Sequence, residues 1–379
     1  MDFRFTEEQE ELRAMARTFL EENSGSEAIR QAMESELGWK PELWAKMASE
    51  LGWASVHIPE TYGGLGLGYV ELVALMEIMG EHLLCAPFLS SVVLSTNLLL
   101  EAASEDQKKE ILPALAEGES RAAVAFAHRQ GGAGPEDVMA TVERKADGFG
   151  LEGEYGFVVD GHSADQLIVA ARRPGSQGLE GISLFLVSAD TPGLERRMLP
   201  TMDQTRRLAE VTLRGVTLPK EALLGQWDSG GKTLERALQL SLVALAAEQV
   251  GGAQACLDIS VAYALEREQF GRPIGSFQAI KHKCADMMVL VESARSAVYY
   301  AACAATERGD ELAACAALAK AYCSDAYFQC AADAIQIHGG VGFTWEYDVH
   351  LHFKRARSSE HLLGAPPYHR ERVAREIGL

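Results

Sequence analysis

The chain is short of basic residues: 35 Lys and Arg stand against 54 Asp and Glu, a net charge of −19. An acidic surface repels phosphate backbones and anionic lipid, so neither nucleic acid nor a membrane surface is an expected partner. The seven cysteines form no CxxC pair, and their odd number gives no disulfide framework. Most sit in Ala-rich stretches that read as helix, which points to buried, reduced thiols in a cytoplasmic protein. No His or carboxylate set has a zinc spacing, so no metal is expected, and His350 and His352 read as surface residues. No apolar run approaches the length of a membrane span, and the acidic, amphipathic start "MDFRFTEEQEELRAMARTFL" lacks the features of a signal peptide. Neither GxGxxG nor GxxxxGK(S/T) occurs in a strand–turn–helix setting, which excludes a Rossmann or P-loop reading. No Ser-His-Asp arrangement is visible.

What is present falls into three textures along 379 residues, enough for two or three packed units. Residues 1–118 read as helical. Thr6 and Gln9 have capping-box spacing, and Leu12, Met15, Phe19 and Leu20 follow as an apolar stripe. "IPETYGGLGLG" is too rich in glycine for a helix, whereas "YVELVALMEIMGEHLL" reads as a buried one. Residues 119–226 change to short β-branched segments broken by Gly, Pro and Asp, the pattern of an antiparallel sheet or barrel. Residues 227–379 return to long Ala- and Leu-rich helices whose number and length predict a four-helix bundle. The fold class is α+β, with a helical region, a β region and a helical bundle in that order.

Two motifs in the last region carry chemistry. "YALEREQFGRPIGSFQAIKHKCADM" leaves one helix, turns at Gly271-Arg272-Pro273 and enters another. Arg267 near that helix end suits a phosphate, because guanidinium matches phosphate geometry; it equally suits a helix C-terminus. "QIHGGVGFTWEY" ends a helix on Gly339-Gly340, a C-cap that also permits close approach of a ligand. Gln336 is an oddly polar residue in that apolar helix.

Taken with "IPETYGGLGLG" and the strands around "EYGFVVDG", these motifs resemble the acyl-CoA dehydrogenase family over nearly the whole chain. The resemblance implies an N-terminal helical domain, a middle β domain and a C-terminal four-helix bundle, assembled as a dimer of dimers. It implies FAD between β domain and bundle, held by Arg267, Phe270 and Gln278 of one chain and by Gln336, Gly339 and Gly340 of the other, with Phe157 and Val159 beside the flavin. The implied reaction is α,β-dehydrogenation of an acyl-CoA. A carboxylate in a dry cavity takes the α proton, hydride passes from the β carbon to the flavin, and electrons leave to an electron-transfer flavoprotein.

The sequence departs from the family where the base should stand. The usual Glu-Gly-Thr aligns with Leu363-Gly364-Ala365, and Leu363 cannot abstract a proton. The flavin-side Trp-x-Thr becomes Phe157-Val158-Val159, so only the Val159 backbone remains to reach the ring. Another branch carries its Glu on the first long helix of the bundle, at the position of Ser241 here. Seven residues on lies Glu248, about two helical turns away on the same face. Its i±3 and i±4 neighbours, Ala244, Leu245, Gly251 and Gly252, include no cation and read as room for a ligand. Glu248 is therefore the expected base, ahead of the polar Glu360, and the alternative is that it pairs with a distant Arg or Lys. The small neighbours suggest a bulky, branched, cyclic or sterol-derived acyl group. The alternative function is a non-catalytic FAD-binding subunit of a heterotetramer rather than a homotetrameric enzyme.

Overall fold

The computed structural model describes residues 6–307 and 309–379. The helices that precede the sheet are α1 (Glu7–Asn23), α2 (Ser26–Glu34), α3 (Pro41–Ala45), α4 (Tyr69–Glu81), α5 (Thr96–Ala102) and α6 (Glu105–Ala116). The sheet follows as β1 (Ala122–Ala125), β2 (Thr141–Lys145), β3 (Gly148–Val159), β4 (Gln166–Arg172), β5 (Ile182–Ser188), β6 (Leu194–Met198), β7 (Leu208–Leu218) and β8 (Leu223–Leu224). The long helix α7 (Gly230–Glu266), the hairpin β9 (Glu268–Gln269) and β10 (Arg272–Pro273), and helices α8 (Gln278–Glu307), α9 (Leu312–His338), α10 (Val349–His361) and α11 (Pro366–Glu376) complete the order.

The chain divides into two compact units that do not follow the three textures of the sequence. The first joins the segment ending at Gln31, Tyr69–Leu84 and Leu242–Leu379; the second holds Ala32–Gly68 and Cys85–Ser241. Helices α1 and α4 therefore belong with the C-terminal bundle. The cause is chemical. Helix α4 is buried at every position from Tyr69 to Gly80 except the half-buried Glu71. Its acid Glu77, 2% exposed, takes Arg13 of α1 at 2.8 Å and Arg295 of α8 at 3.0 Å. Burial alone would raise the Glu77 pKa, but the two guanidiniums reverse this and hold it below the usual carboxylate value. The capping box of Thr6 and Gln9 opens α1 as its spacing predicts.

Within this unit α9 packs against α8, α10 and α11. A backbone oxygen meets each glycine where α4 and α7 cross. A Cβ on Gly80 would lie 2.0 Å from the Glu248 carbonyl oxygen, and one on Gly251 would lie 1.8 Å from that of Glu77. Helix α7 is long and apolar enough to cross a membrane, contrary to the expectation from the sequence, but 94% of its most apolar window is buried inside the protein. It is a core helix. All seven cysteines are free thiols.

In the second unit, the sheet runs β6-β7-β3-β2-β4-β5-β8, with β1 beside β4. It is mostly antiparallel, but β1–β4 and β2–β4 are parallel, which the strand pattern did not indicate. Its buried core includes Phe149, Tyr155, Leu167, Phe185 and Val211. Between Tyr155 and Val158, β3 slips by a residue against β7. That bulge carries Phe157 at φ +55°, with its ring 47% exposed.

Candidate active site and cofactor cavity

Helix α7 ends at Glu266, and the next seven residues make a tight hairpin. Phe270 and Gly271, both at positive φ (+55° and +75°), are its two central residues, the geometry that matches the twist of adjoining strands. Phe270 is consequently 92% exposed. The hairpin borders a cavity of about 480 Å³ lined by Tyr263, Arg267, Phe270, Phe277, His338 and Gly340, among others. Arg267, Phe270 and Gly340 thus meet around one cavity of one chain, although the sequence reading divided them between two chains. Gln278 is the first residue of α8, beside the lining residue Phe277. Gln336 and Gly339 are exposed at the end of α9, where Gly339 (φ +62°) caps the helix. His338 stacks on Tyr263 with ring centroids 4.2 Å apart, and its Nδ1 donates to the Ala334 carbonyl at 2.8 Å. Burial lowers its pKa, so the imidazole is neutral.

The donor set fits a dinucleotide. The Arg267 guanidinium faces a cavity whose other walls are aromatic and aliphatic, and the bare backbone at Gly340 permits close approach, which suits phosphate beside a flat base. In the β unit, Phe157 presents an exposed ring on a strained backbone, the form of a stacking platform. Val159 is 4% exposed and sits opposite Leu208 in the sheet, so its side chain belongs to the interior.

Glu248 is 5% exposed, and it is paired. Arg355 of α10 places Nη1 at 2.8 Å from Glu248 Oε1, with the two side chains 2% and 7% exposed. The distant partner weighed from the sequence is therefore present. The small neighbours of Glu248 do not leave the space expected of them. The α4 backbone fills the room beside Gly251, and a Cβ on Gly252 would lie 2.2 Å from the Tyr327 ring. Ser241 is fully buried, with Oγ donating to the Ala237 carbonyl at 2.8 Å and accepting from Asn97 at 3.4 Å. Glu360 pairs with Arg357 one turn before it, at 2.6 Å.

Leu363 is 5% exposed and held at φ +58°, followed by Gly364 at φ +105°. Pro366 and Pro367 start α11, where the missing N–H costs nothing. His350 and His352 are 5% and 3% exposed, not surface residues. His352 Nδ1 bonds the Tyr327 hydroxyl at 3.0 Å, and burial lowers its pKa to about 3. Among the described residues no group of three or more His, Cys, Asp or Glu is placed to hold a metal.

Sequence reasoning missed Arg355, Lys320 and His369, and it weighed His338 only as a metal ligand. A signal existed for Arg355: Val349, His352, Ala356 and Ser359 recur at helical spacing on the buried side of α10, and Arg355 lies on that stripe.

The chain is thus an α+β protein, helical around an eight-stranded sheet, with a cavity at the end of its longest helix that offers a guanidinium and aromatic walls. Residues 6–119 match the acyl-CoA dehydrogenase N-terminal domain and residues 228–378 the acyl-CoA dehydrogenase C-terminal domain. The chain belongs to the acyl-CoA dehydrogenase family, FAD-dependent oxidoreductases of acyl-CoA thioesters. Acyl-CoA dehydrogenase IpdE2 of Mycolicibacterium smegmatis is 36% identical over 372 residues, covering 98% of this chain and 99% of that one. The structure of the ChsE4-ChsE5 complex from Mycobacterium tuberculosis superposes with a TM-score of 0.90 at 29% identity, over 100% of this chain and 99% of that one. The Tcur3481-Tcur3483 steroid acyl-CoA dehydrogenase does so with a TM-score of 0.87 at 30% identity, over 98% of both chains.

Proposed function

We propose that this chain catalyses α,β-dehydrogenation of an acyl-CoA whose acyl group is bulky, branched, cyclic or sterol-derived, with Glu248 as the base. The observation that carries this is the pairing of an absence with a presence. The loop at Leu363 has no carboxylate, while Glu248 is a carboxylate removed from water on the helix where another branch of the family keeps its base. Arg355 holds the Glu248 carboxylate in an ion pair away from water, and that pair has to open before the carboxylate takes a proton. The steroid class is supported by the likeness to the steroid enzyme and not by space around Glu248.

FAD, when bound, accepts the hydride from the β carbon. Arg267, Gln278, Gln336, Gly339 and Gly340 hold its phosphate and adenine end, with Phe270 covering it. Phe157 shields the ring and Val159 offers it only a backbone N–H. An electron-transfer flavoprotein is the proposed acceptor, and the working assembly is a tetramer of this chain.

The Arg355–Glu248 pair favours one second reading. In it the chain is the non-catalytic FAD-binding subunit of a heterotetramer, and a homologous chain brings the base. The ChsE4-ChsE5 complex is a precedent for two named chains together. Anaerobic titration of the purified yellow protein with a panel of acyl-CoA thioesters tests both. Bleaching by the chain alone supports the first reading. Bleaching only after co-expression with a homologous chain supports the second. No bleaching in either preparation contradicts both.

A further inference from the structure

Lys320 of α9 is fully buried, yet its ammonium meets no carboxylate. Its three hydrogen bonds go to neutral oxygens: Ser324 Oγ at 2.8 Å, the Glu360 carbonyl at 3.1 Å and the Gly364 carbonyl at 3.2 Å. An ammonium has three donors, so the geometry uses all of them. Ser324 in turn bonds the side chain of Gln249, the buried neighbour of Glu248, at 3.0 Å. From the other side, His369 of α11, also fully buried, donates Nε2–H to the Leu363 carbonyl at 2.9 Å. A carbonyl only accepts, so this bond fixes the His369 tautomer. The Glu360 carbonyl at the end of α10 and the Leu363 and Gly364 carbonyls of the loop after it are therefore held by two buried side chains.

The loop needs holding. Leu363 has a left-handed backbone that L-residues rarely adopt, and such a conformation persists only where its surroundings over-determine it. Two contacts of a cation with backbone oxygens supply that. Burying an amine without a counter-ion is costly, and the hydrogen bonds it makes to the backbone oxygens beside Leu363 offset that cost.

We infer that Lys320 is a positioning residue: it anchors the Leu363–Gly364 loop and thereby fixes Leu363 as part of the wall facing the acyl group. The wall assignment rests on the proposed function; the anchoring does not.

Hydrogen exchange on the FAD-loaded protein tests the anchor. In Lys320→Met, amides of residues 361–365 should exchange about tenfold faster, the loss of one or two hydrogen bonds, while those in the middle of α9 and in the β sheet keep their protection. Lys320→Gln, which keeps two N–H donors, should fall between wild type and Met, and it keeps the test available should Lys320→Met not fold. Unchanged exchange at 361–365, or equal acceleration through the whole protein, overturns the anchor. Steady-state kinetics test the wall separately. With flavin content unchanged, KM for a ring-bearing acyl-CoA should rise several-fold while kcat is held. A loosened loop with unchanged KM keeps the anchor and contradicts the wall.

Discussion

Arg355 and Glu248 meet across helices α10 and α7, Nη1 to Oε1 at 2.8 Å, with almost no solvent at either side chain. The two are 107 residues apart in sequence. The pair ties the final third of the chain to its longest helix, and the proton chemistry assigned to Glu248 has to operate from within it.

Removing the cation should therefore cost more than removing the acid. Arg355→Ala leaves a buried carboxylate uncompensated, and the expected loss is about 3–5 kcal/mol of folding stability. Glu248→Gln keeps an acceptor for the guanidinium and should cost clearly less. Denaturant melts of the two variants compare them directly. Equal losses, or a stable Arg355→Ala, would show that the pair is not buried in solution.

The crossing of α4 and α7 depends on glycine. With a backbone oxygen 1.8 Å from where its Cβ would stand, Gly251→Ala forces the helices apart. The expected cost is about 1–3 kcal/mol, read as a drop in Tm, despite the better helix propensity of alanine. A variant as stable as wild type would contradict this packing.

Stability should fall with acid before the carboxylates titrate. Burial lowers the pKa of His57 to about 4, and of His352 and His369 to about 3, from an ordinary 6.5. Between these values and 6.5 the unfolded chain binds protons that the folded one does not. The contribution is thus full above pH 6.5 and is lost as pH falls below it. His82, His162, His338 and His350 are lowered by burial too, while Glu81, raised by burial, acts in the opposite direction. Lys320, lowered by burial to about 7 from 10.5, adds a second slope: stability should rise from pH 7 upward. Cys323, Glu360 and Asp325 oppose that lowering, and His369 is the nearby base. Thermal melts across pH 5–9 should show both slopes, with Lys320→Met flattening the upper one. A flat profile would contradict the buried states of these groups.

Much of the fold was legible because periodicity reports burial. Helix α4 reads as buried and is; Thr6 and Gln9 cap α1; the β texture marks the sheet. The sequence does not carry the way distant faces pair. Arg13 and Arg295 converge on Glu77 of α4 from two other helices, which moves α1 and α4 into the bundle unit although they lie in the first texture. The site divides the same way. Arg267, Phe270 and Gly340 follow from local motifs and share a cavity. The surroundings of Glu248 were misjudged because local spacing tests only intrahelical partners. Arg355 comes from another helix, and the glycines serve the close approach of α4 and of Tyr327. His350 and His352 misled for a related reason: a polar residue type says nothing of a hydroxyl waiting across the bundle.

The most direct test of Glu248 as the base is anaerobic flavin bleaching of Glu248→Gln beside wild type, with a ring-bearing acyl-CoA that bleaches the wild-type protein. The account predicts that the variant binds FAD and stays folded but bleaches at least about a hundredfold more slowly, the loss expected for a missing general base. Bleaching of Glu248→Gln at the wild-type rate would contradict it.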